Sequence, residues 1–138
     1  GSETMIGRLS DDVLDAMLEA MPIEFSVVDA NDEVLAWNKH ETRIFKRPKG
    51  VVGRNVRDCH PKKSLDKVET ILAEMKAGAR DSARFWIDLP VGMGGAKQKI
   101  LIEYRALRNG AGKYLGCLEC SQNISGLQAL SGEKRLLE

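Results

Sequence analysis

Glu24-Phe25-Ser26-Val27-Val28-Asp29-Ala30-Asn31-Asp32-Glu33-Val34-Leu35-Ala36-Trp37-Asn38 reads as two strands around one tight turn. Valine, phenylalanine and tryptophan suit strands, and Asn31-Asp32 supplies turn chemistry. The stretch therefore predicts a β-hairpin. Pro22 stands just before it and stops a helix. That helix covers about 10–21, with Ser10 as its N-cap. Val13, Met17 and Met21 recur every four residues, with Leu14 and Leu18 beside them, giving one apolar stripe. After the hairpin a short helical piece is expected over about 39–45, ended by Arg47-Pro48-Lys49-Gly50.

Ser64 is expected to cap the strongest helix, over about 65–77. Leu65, Val68, Leu72 and Met75 fall on one face, and Gly78 is a natural stop. Three strands are expected next, over 83–89, 99–107 and 114–120. Glycine-rich loops at 92–95 and 109–112 join them as hairpins. A final helix is expected over about 126–137. Two strand blocks separated by helices predict an α+β domain with an antiparallel sheet and helices on one face. The strand–helix alternation of a doubly wound nucleotide fold is absent.

A length of 138 residues fits one domain. Residues 1–8 are expected to be a lead, with Gly1-Ser2 as a cloning scar, and 9–138 the domain. Twenty-one basic and 20 acidic residues leave a net charge of +1, so nothing argues generally for nucleic acid or membrane as a partner. No apolar run approaches the ~20 residues of a membrane span. Three cysteines are an odd number, which points away from a disulfide framework and toward a reduced, cytoplasmic setting.

Two cysteine segments invite chemistry. Cys59-His60-Pro61 carries a thiol and an imidazole, good ligands for iron or zinc. Its plainer reading is structural: Pro61 stiffens the approach to a helix, His60 bonds backbone, and Cys59 packs as a small apolar residue. Cys117-Leu118-Glu119-Cys120 has chelating spacing, but residues three apart on a strand face opposite ways. Phe85 and Trp86 divide between the faces by the same rule, so only one meets the core. His40 reads as a partly exposed helix residue. Arg54, Arg57, Lys62 and Lys63 read as a solvated positive surface. No nucleophile–base–orienter set is recognisable, which argues against an enzyme.

The hairpin, with Ile44-Phe45-Lys46-Arg47, Tyr104-Arg105-Ala106-Leu107-Arg108, Gly112-Lys113-Tyr114-Leu115-Gly116 and Gln122-Asn123-Ile124-Ser125, resembles a PAS domain over about 9–137. The Cys-His-Pro segment and Leu130-Ser131-Gly132-Glu133-Lys134-Arg135-Leu136-Leu137 resemble the subgroup found C-terminal to hemerythrin-like domains in bacterial and archaeal proteins. The resemblance implies a five-stranded antiparallel sheet with helices over one face and flanking terminal helices. It implies a non-catalytic sensory module within a larger signalling protein. It implies a ligand cavity, for which Trp37, Phe45, His60, Leu72, Phe85, Tyr104 and Cys117 are the candidates. Haem is the alternative cofactor, ligated by His60 with Cys59 beside it. PAS domains often dimerise through the leading helix, so Val13, Leu14, Met17, Leu18 and Met21 are the expected homodimer interface. The family commonly ends its last strand in Asp-Ile-Thr. Asn123-Ile124-Ser125 keeps a turn-forming side chain there and loses the carboxylate.

Overall fold

The computed structural model describes residues 5–56, 62–92 and 94–137. Helix α1 spans Asp11–Ala20, and Ser10 Oγ accepts the Val13 N–H at 3.2 Å as the expected cap. Strands β1 (Glu24–Asp29) and β2 (Val34–Trp37) form the predicted hairpin. Asp29 Oδ1 fixes its turn by accepting the N–H groups of Asn31 (2.8 Å) and Glu33 (3.0 Å). Helix α2 (Lys62–Lys76) precedes β3 (Ser82–Pro90), β4 (Lys97–Arg108) and β5 (Tyr114–Asn123). One turn of helix, α3 (Ser125–Gln128), follows. The strands form one antiparallel sheet in the order β2-β1-β5-β4-β3.

Alternation decides what each strand shows to α2. Val28, Val34, Ile100, Ile102, Tyr104 and Cys117 join Val68, Leu72 and Met75 of α2 in one buried cluster. The end of α2 is fixed as expected: Gly78 takes φ +76°, and the Ala79 N–H reaches back to Glu74 O at 2.9 Å. Arg108 Nη2 donates to Met75 O at 2.7 Å, and Lys76 pairs with the buried Asp32 at 2.7 Å, tying that helix end to both halves of the sheet.

Three expected elements differ. Helix α2 begins at Lys62, so Ser64 lies inside its first turn and is not its cap. Lysine propagates a helix well, and the segment ahead of Ser64 joins it. The helix expected over 39–45 is a single 3₁₀ turn, His40–Thr42, flanked by Lys39 at φ +53° and an extended Arg43. Arg43 is buried through contacts that an extended backbone serves and a helix would break, as described below. The helix expected over 126–137 ends at Gln128. Gly132 (φ +61°) and Leu136 (φ +46°) leave helical geometry, and Leu130, Leu136 and Leu137 are exposed. A short apolar helix with no surface to pack on is not self-sustaining.

Candidate functional site

The face of the sheet turned toward α2 is not uniformly apolar. On β1, Glu24 and Ser26 share that face with Val28; on β5, Glu119 shares it with Cys117. All four polar or thiol groups are buried. The segment 38–47 crosses above them and supplies partners to Glu24, Ser26 and Glu119.

Arg43 is the centre of that strap. Its Nε donates to Phe45 O (2.8 Å), its Nη1 to Phe25 O (3.0 Å) and Asn38 O (2.9 Å), and its Nη2 to Ser26 Oγ (3.1 Å). Glu24 Oε2 lies 3.3 Å from Nη2 and neutralises the charge. Glu24 in turn accepts the N–H groups of Ile44 and Phe45. Burial lowers the Arg43 pKa, and Glu24 works against that shift. A second pair follows: Arg47 Nη2 donates to Glu119 Oε2 at 3.2 Å. Arg47 Nε is buried with no hydrogen-bond partner among the described residues. Most buried polar atoms find a partner, so this donor is an exception that calls for an acceptor.

Asn38 links the strap to α1. Its Oδ1 accepts the Phe25 N–H (2.7 Å), and its Nδ2 donates to Leu18 O (2.7 Å) and Ile23 O (3.1 Å). Beside it, the Lys39 N–H donates to the Glu19 carboxylate at 3.1 and 3.2 Å. Trp37 Nε1 donates to His40 Nδ1 at 3.0 Å, which leaves His40 Nε2 for solvent or a ligand. An open cleft of about 370 Å³ is lined by His40, Glu41, Lys46, Arg47 and Pro48. A second, of about 300 Å³, lies across Pro22, Lys39, Thr42 and the end of β5.

The expected cavity residues fall as follows. Leu72, Tyr104 and Cys117 are buried together, with Trp37 and Phe45 packed against their cluster. Phe85 lies on the same side, its ring edge-on to Tyr104 with centroids 5.6 Å apart, and Trp86 points to the other face. Leu72, Met75 and Cys117 leave almost no accessible surface, so the described interior is packed with side chains. His60 and Cys59 lie outside the described residues. Cys117 and Cys120 take opposite faces, as the strand period requires. Burial, with Glu119 adding, pushes the Cys117 thiol up to about 12. Burial also raises Cys120 and Tyr104. These are packed thiols rather than reactive ones. No cluster of three His, Cys, Asp or Glu side chains suited to a metal occurs among the described residues.

On α1, Val13, Leu14 and Met17 are exposed, while Leu18 and Met21 are half-buried. Asn123 keeps the turn role: its Oδ1 accepts the Ser125 N–H at 3.0 Å, and Ser125 Oγ accepts the Lys99 N–H at 2.9 Å. Sequence reasoning missed Glu24, Arg43 and Glu119. A signal existed for Glu119, which must share the face of Cys117 two residues away.

A five-stranded antiparallel sheet with a long helix over one face and a strap across its polar end defines an α+β fold of the PAS type. The profile of the PAS domain family matches residues 14–125, and the chain belongs to that family. It is similar to the crystal structure of a C-terminal domain from Streptococcus mutans, at 30% identity and a TM-score of 0.81, over 94% of this chain and 96% of that one. It shares its fold with the PAS domain of BvgS from Bordetella pertussis, at 18% identity and a TM-score of 0.59, over 83% and 88% of the two chains. A sensory box sensor histidine kinase from Vibrio cholerae gives 13% identity and a TM-score of 0.57, over 81% and 89%. No functionally curated protein matches the chain significantly. Among the described residues no helix is long and apolar enough to cross a membrane.

Proposed function

We propose that this chain is a non-catalytic sensory module of a larger signalling protein, responding to a small acceptor-bearing molecule at the Arg47 end of the polar inner face. The observation that carries this reading is the half-satisfied Arg47. One of its nitrogens holds Glu119, its Nε has no partner among the described residues, and the same residue lines the cleft with His40 and Lys46. A carboxylate or carbonyl seated there gains a charge-assisted bond. Any shift of Arg47 pulls on a strap whose other end is bonded to α1 through Asn38 and Lys39. The exposed Val13, Leu14 and Met17 then offer the helix as a homodimer surface, with Leu18 and Met21 completing the stripe. The Cys-His-Pro segment and the C-terminal tail fit a parent protein that also carries a hemerythrin-like domain, which the flanking coding sequence would reveal. A reduced cytoplasmic setting suits an odd number of cysteines, of which Cys117 and Cys120 are free thiols.

Native mass spectrometry of the purified protein, with a visible spectrum, tests the reading. The expected result is a retained small molecule with no Soret band, lost in Arg47→Met while the melting curve stays cooperative. A Soret band abolished by His60→Ala would replace this reading with haem sensing. A protein that carries no molecule, and gains no thermal stability from a panel of small carboxylates, would refute ligand sensing at Arg47. Sedimentation tests the helix surface: a monomer at tens of micromolar counts against it, and Met17→Glu should weaken any dimer that forms there.

A further inference from the structure

The two edges of the sheet are finished differently. Beside the short β2, the 53–55 segment runs alongside: the Val34 N–H donates to Arg54 O (2.8 Å), and the Gly53 N–H donates to Val34 O (2.7 Å). Strand β3 forms the other edge, nine residues long, and no described strand pairs with its far side. Three consecutive large apolar residues stand partly open at its middle: Phe85 at 36%, Trp86 at 62% and Ile87 at 37% exposure. A long, apolar, uncovered edge is a template for another strand, and most proteins blunt theirs.

Ladder parity fixes which backbone groups point outward. The Ala106 N–H donates to Asp81 O (2.9 Å) and the Val91 N–H to Ala96 O (3.4 Å), so the odd-numbered positions along β3 exchange bonds with β4. The even-numbered Ser82, Arg84, Trp86 and Asp88 therefore turn both N–H and C=O to the free edge. Pro90 offers only its carbonyl, which limits pairing at that end.

We propose that this edge pairs antiparallel with the same edge of a second copy of the chain, about a two-fold axis at Trp86. The sequence is self-complementary in that register. Trp86 opposes Trp86, Phe85 opposes Ile87, Ala83 opposes Leu89, and Arg84 opposes Asp88 on both sides of the axis. Each opposed even pair presents matching outward N–H and C=O groups, so the ladder closes. Phe85, Ile87 and Leu89 stay on the inner side in both copies, and Trp86 on the outer. A slip by two residues brings Arg84 opposite Trp86 or Pro90 and loses both charge pairs. Arg84 is exposed and makes no ion pair among the described residues. Asp88 is held by Lys99 Nζ at 2.8 Å with its side chain 56% exposed, so it has room for a second cation. A two-fold contact of one patch on itself closes a dimer into a single ten-strand sheet without further growth at this edge. This surface is distinct from the α1 stripe.

Sedimentation and residue-resolved hydrogen exchange test it, on the wild-type chain and on Met17→Glu, which removes the α1 contact. The expected dimer survives Met17→Glu. The amides of Arg84, Trp86 and Asp88 become protected only as concentration rises, while those of Phe85 and Ile87 are protected throughout. Arg84→Asp sets two carboxylates face to face at both ends and weakens the dimer about tenfold or more. Asp88→Arg does the same with two guanidinium groups. The double swap, Arg84→Asp with Asp88→Arg, restores the wild-type constant. Because all four chains differ only at exposed positions, equal melting curves confirm that each is folded. A monomer at about 1 mM, single swaps without effect, a double swap without rescue, or edge amides protected equally at every concentration would each overturn the proposal. Association abolished by Met17→Glu alone would assign the contact to α1 and overturn it as well.

Discussion

Replacing Glu24 by alanine tests the idea that one buried ion pair holds the strap on the sheet. In the wild type, Glu24 and Arg43 are both buried, with their closest N–O approach at 3.3 Å. Glu24→Ala leaves Arg43 with its neutral acceptors, Phe25 O, Asn38 O, Phe45 O and Ser26 Oγ, but with no countercharge at its own side of the strap. It also leaves the Ile44 and Phe45 amides without their acceptor. Stranding a buried charge costs about 3–5 kcal/mol. Each orphaned amide alone would cost about 1–3 kcal/mol, and the two effects overlap because they share one carboxylate. The expected loss is therefore about 3–5 kcal/mol, against a total of about 5–15 kcal/mol for a domain. A chain of this length shifts its Tm by about 3 °C per kcal/mol, so the melt should fall by roughly 10–15 °C. Arg43→Met should cost a similar amount. The double variant Glu24→Ala with Arg43→Met carries no stranded charge and should fall short of the summed losses by about 2 kcal/mol or more. Urea denaturation of all four chains supplies the numbers, read from midpoints at constant m. A loss under about 1 kcal/mol for Glu24→Ala, the value of an exposed pair, would refute the reasoning. So would an additive double variant.

Asn38→Ala removes three side-chain hydrogen bonds that join α1, β1 and the strap, and should cost about 2–3 kcal/mol. Amide exchange across Asp11–Ala20 should accelerate selectively; unchanged exchange there would show that the helix is held by other contacts. Gly116→Ala places a Cβ 2.1 Å from Val28 O, backbone against backbone, and should cost about 3 kcal/mol or prevent folding. A fully stable variant would contradict the close approach of β1 and β5. Stability should fall in alkali because Cys117 keeps its proton to about pH 12 in the folded chain, through burial first and Glu119 second. The unfolded thiol ionises near pH 8.5, so its contribution is complete below about that pH and is lost as pH rises toward the folded pKa. The slope is about 1.4 kcal/mol per pH unit, and buried Tyr104 adds a term of the same sign at higher pH. Cys117→Ser should flatten the decline between about pH 9 and 11; parallel curves would remove Cys117 as its cause.

The fold was legible where one local rule governs. Pro22, the Asn31-Asp32 turn and Gly78 each fix backbone direction with their own chemistry, and β1, β2 and the end of α2 fall where those residues put them. The opposite facing of Cys117 and Cys120 follows from the strand period alone. Residues 39–45 were less legible because their conformation is set from outside. Helical pattern there gives way to an extended Arg43, whose guanidinium bonds to carbonyls contributed by β1, Asn38 and Phe45. The C-terminal leucines erred in the opposite direction: their spacing describes a helix, but a stripe becomes a helix only against a surface, and these side chains meet solvent.

The candidate site was half legible for the same reason. Leu72, Tyr104 and Cys117 are apolar or amphipathic residues at inward positions, and composition alone places them in a core. Glu24, Arg43, Arg47 and Glu119 carry charges that composition assigns to the surface. Glu24, Arg43 and Glu119 are buried, and Arg47 half-buried, because each charge meets an opposite one across the strap, a pairing between positions as far apart in sequence as Arg47 and Glu119. A single chain gives no sign of which distant charges will meet. The period of a strand does give the face, and Glu24, Ser26 and Val28 on one side of β1, with Cys117 and Glu119 on one side of β5, already commit two carboxylates to an interior. Buried carboxylates require cations, and the arginines that meet them, Arg43 and Arg47, lie on a segment that no strand holds and that carries a single 3₁₀ turn. The polar inner face and the irregular strap are therefore one feature: the charges dictate the strap's path, and the strap makes their burial tolerable.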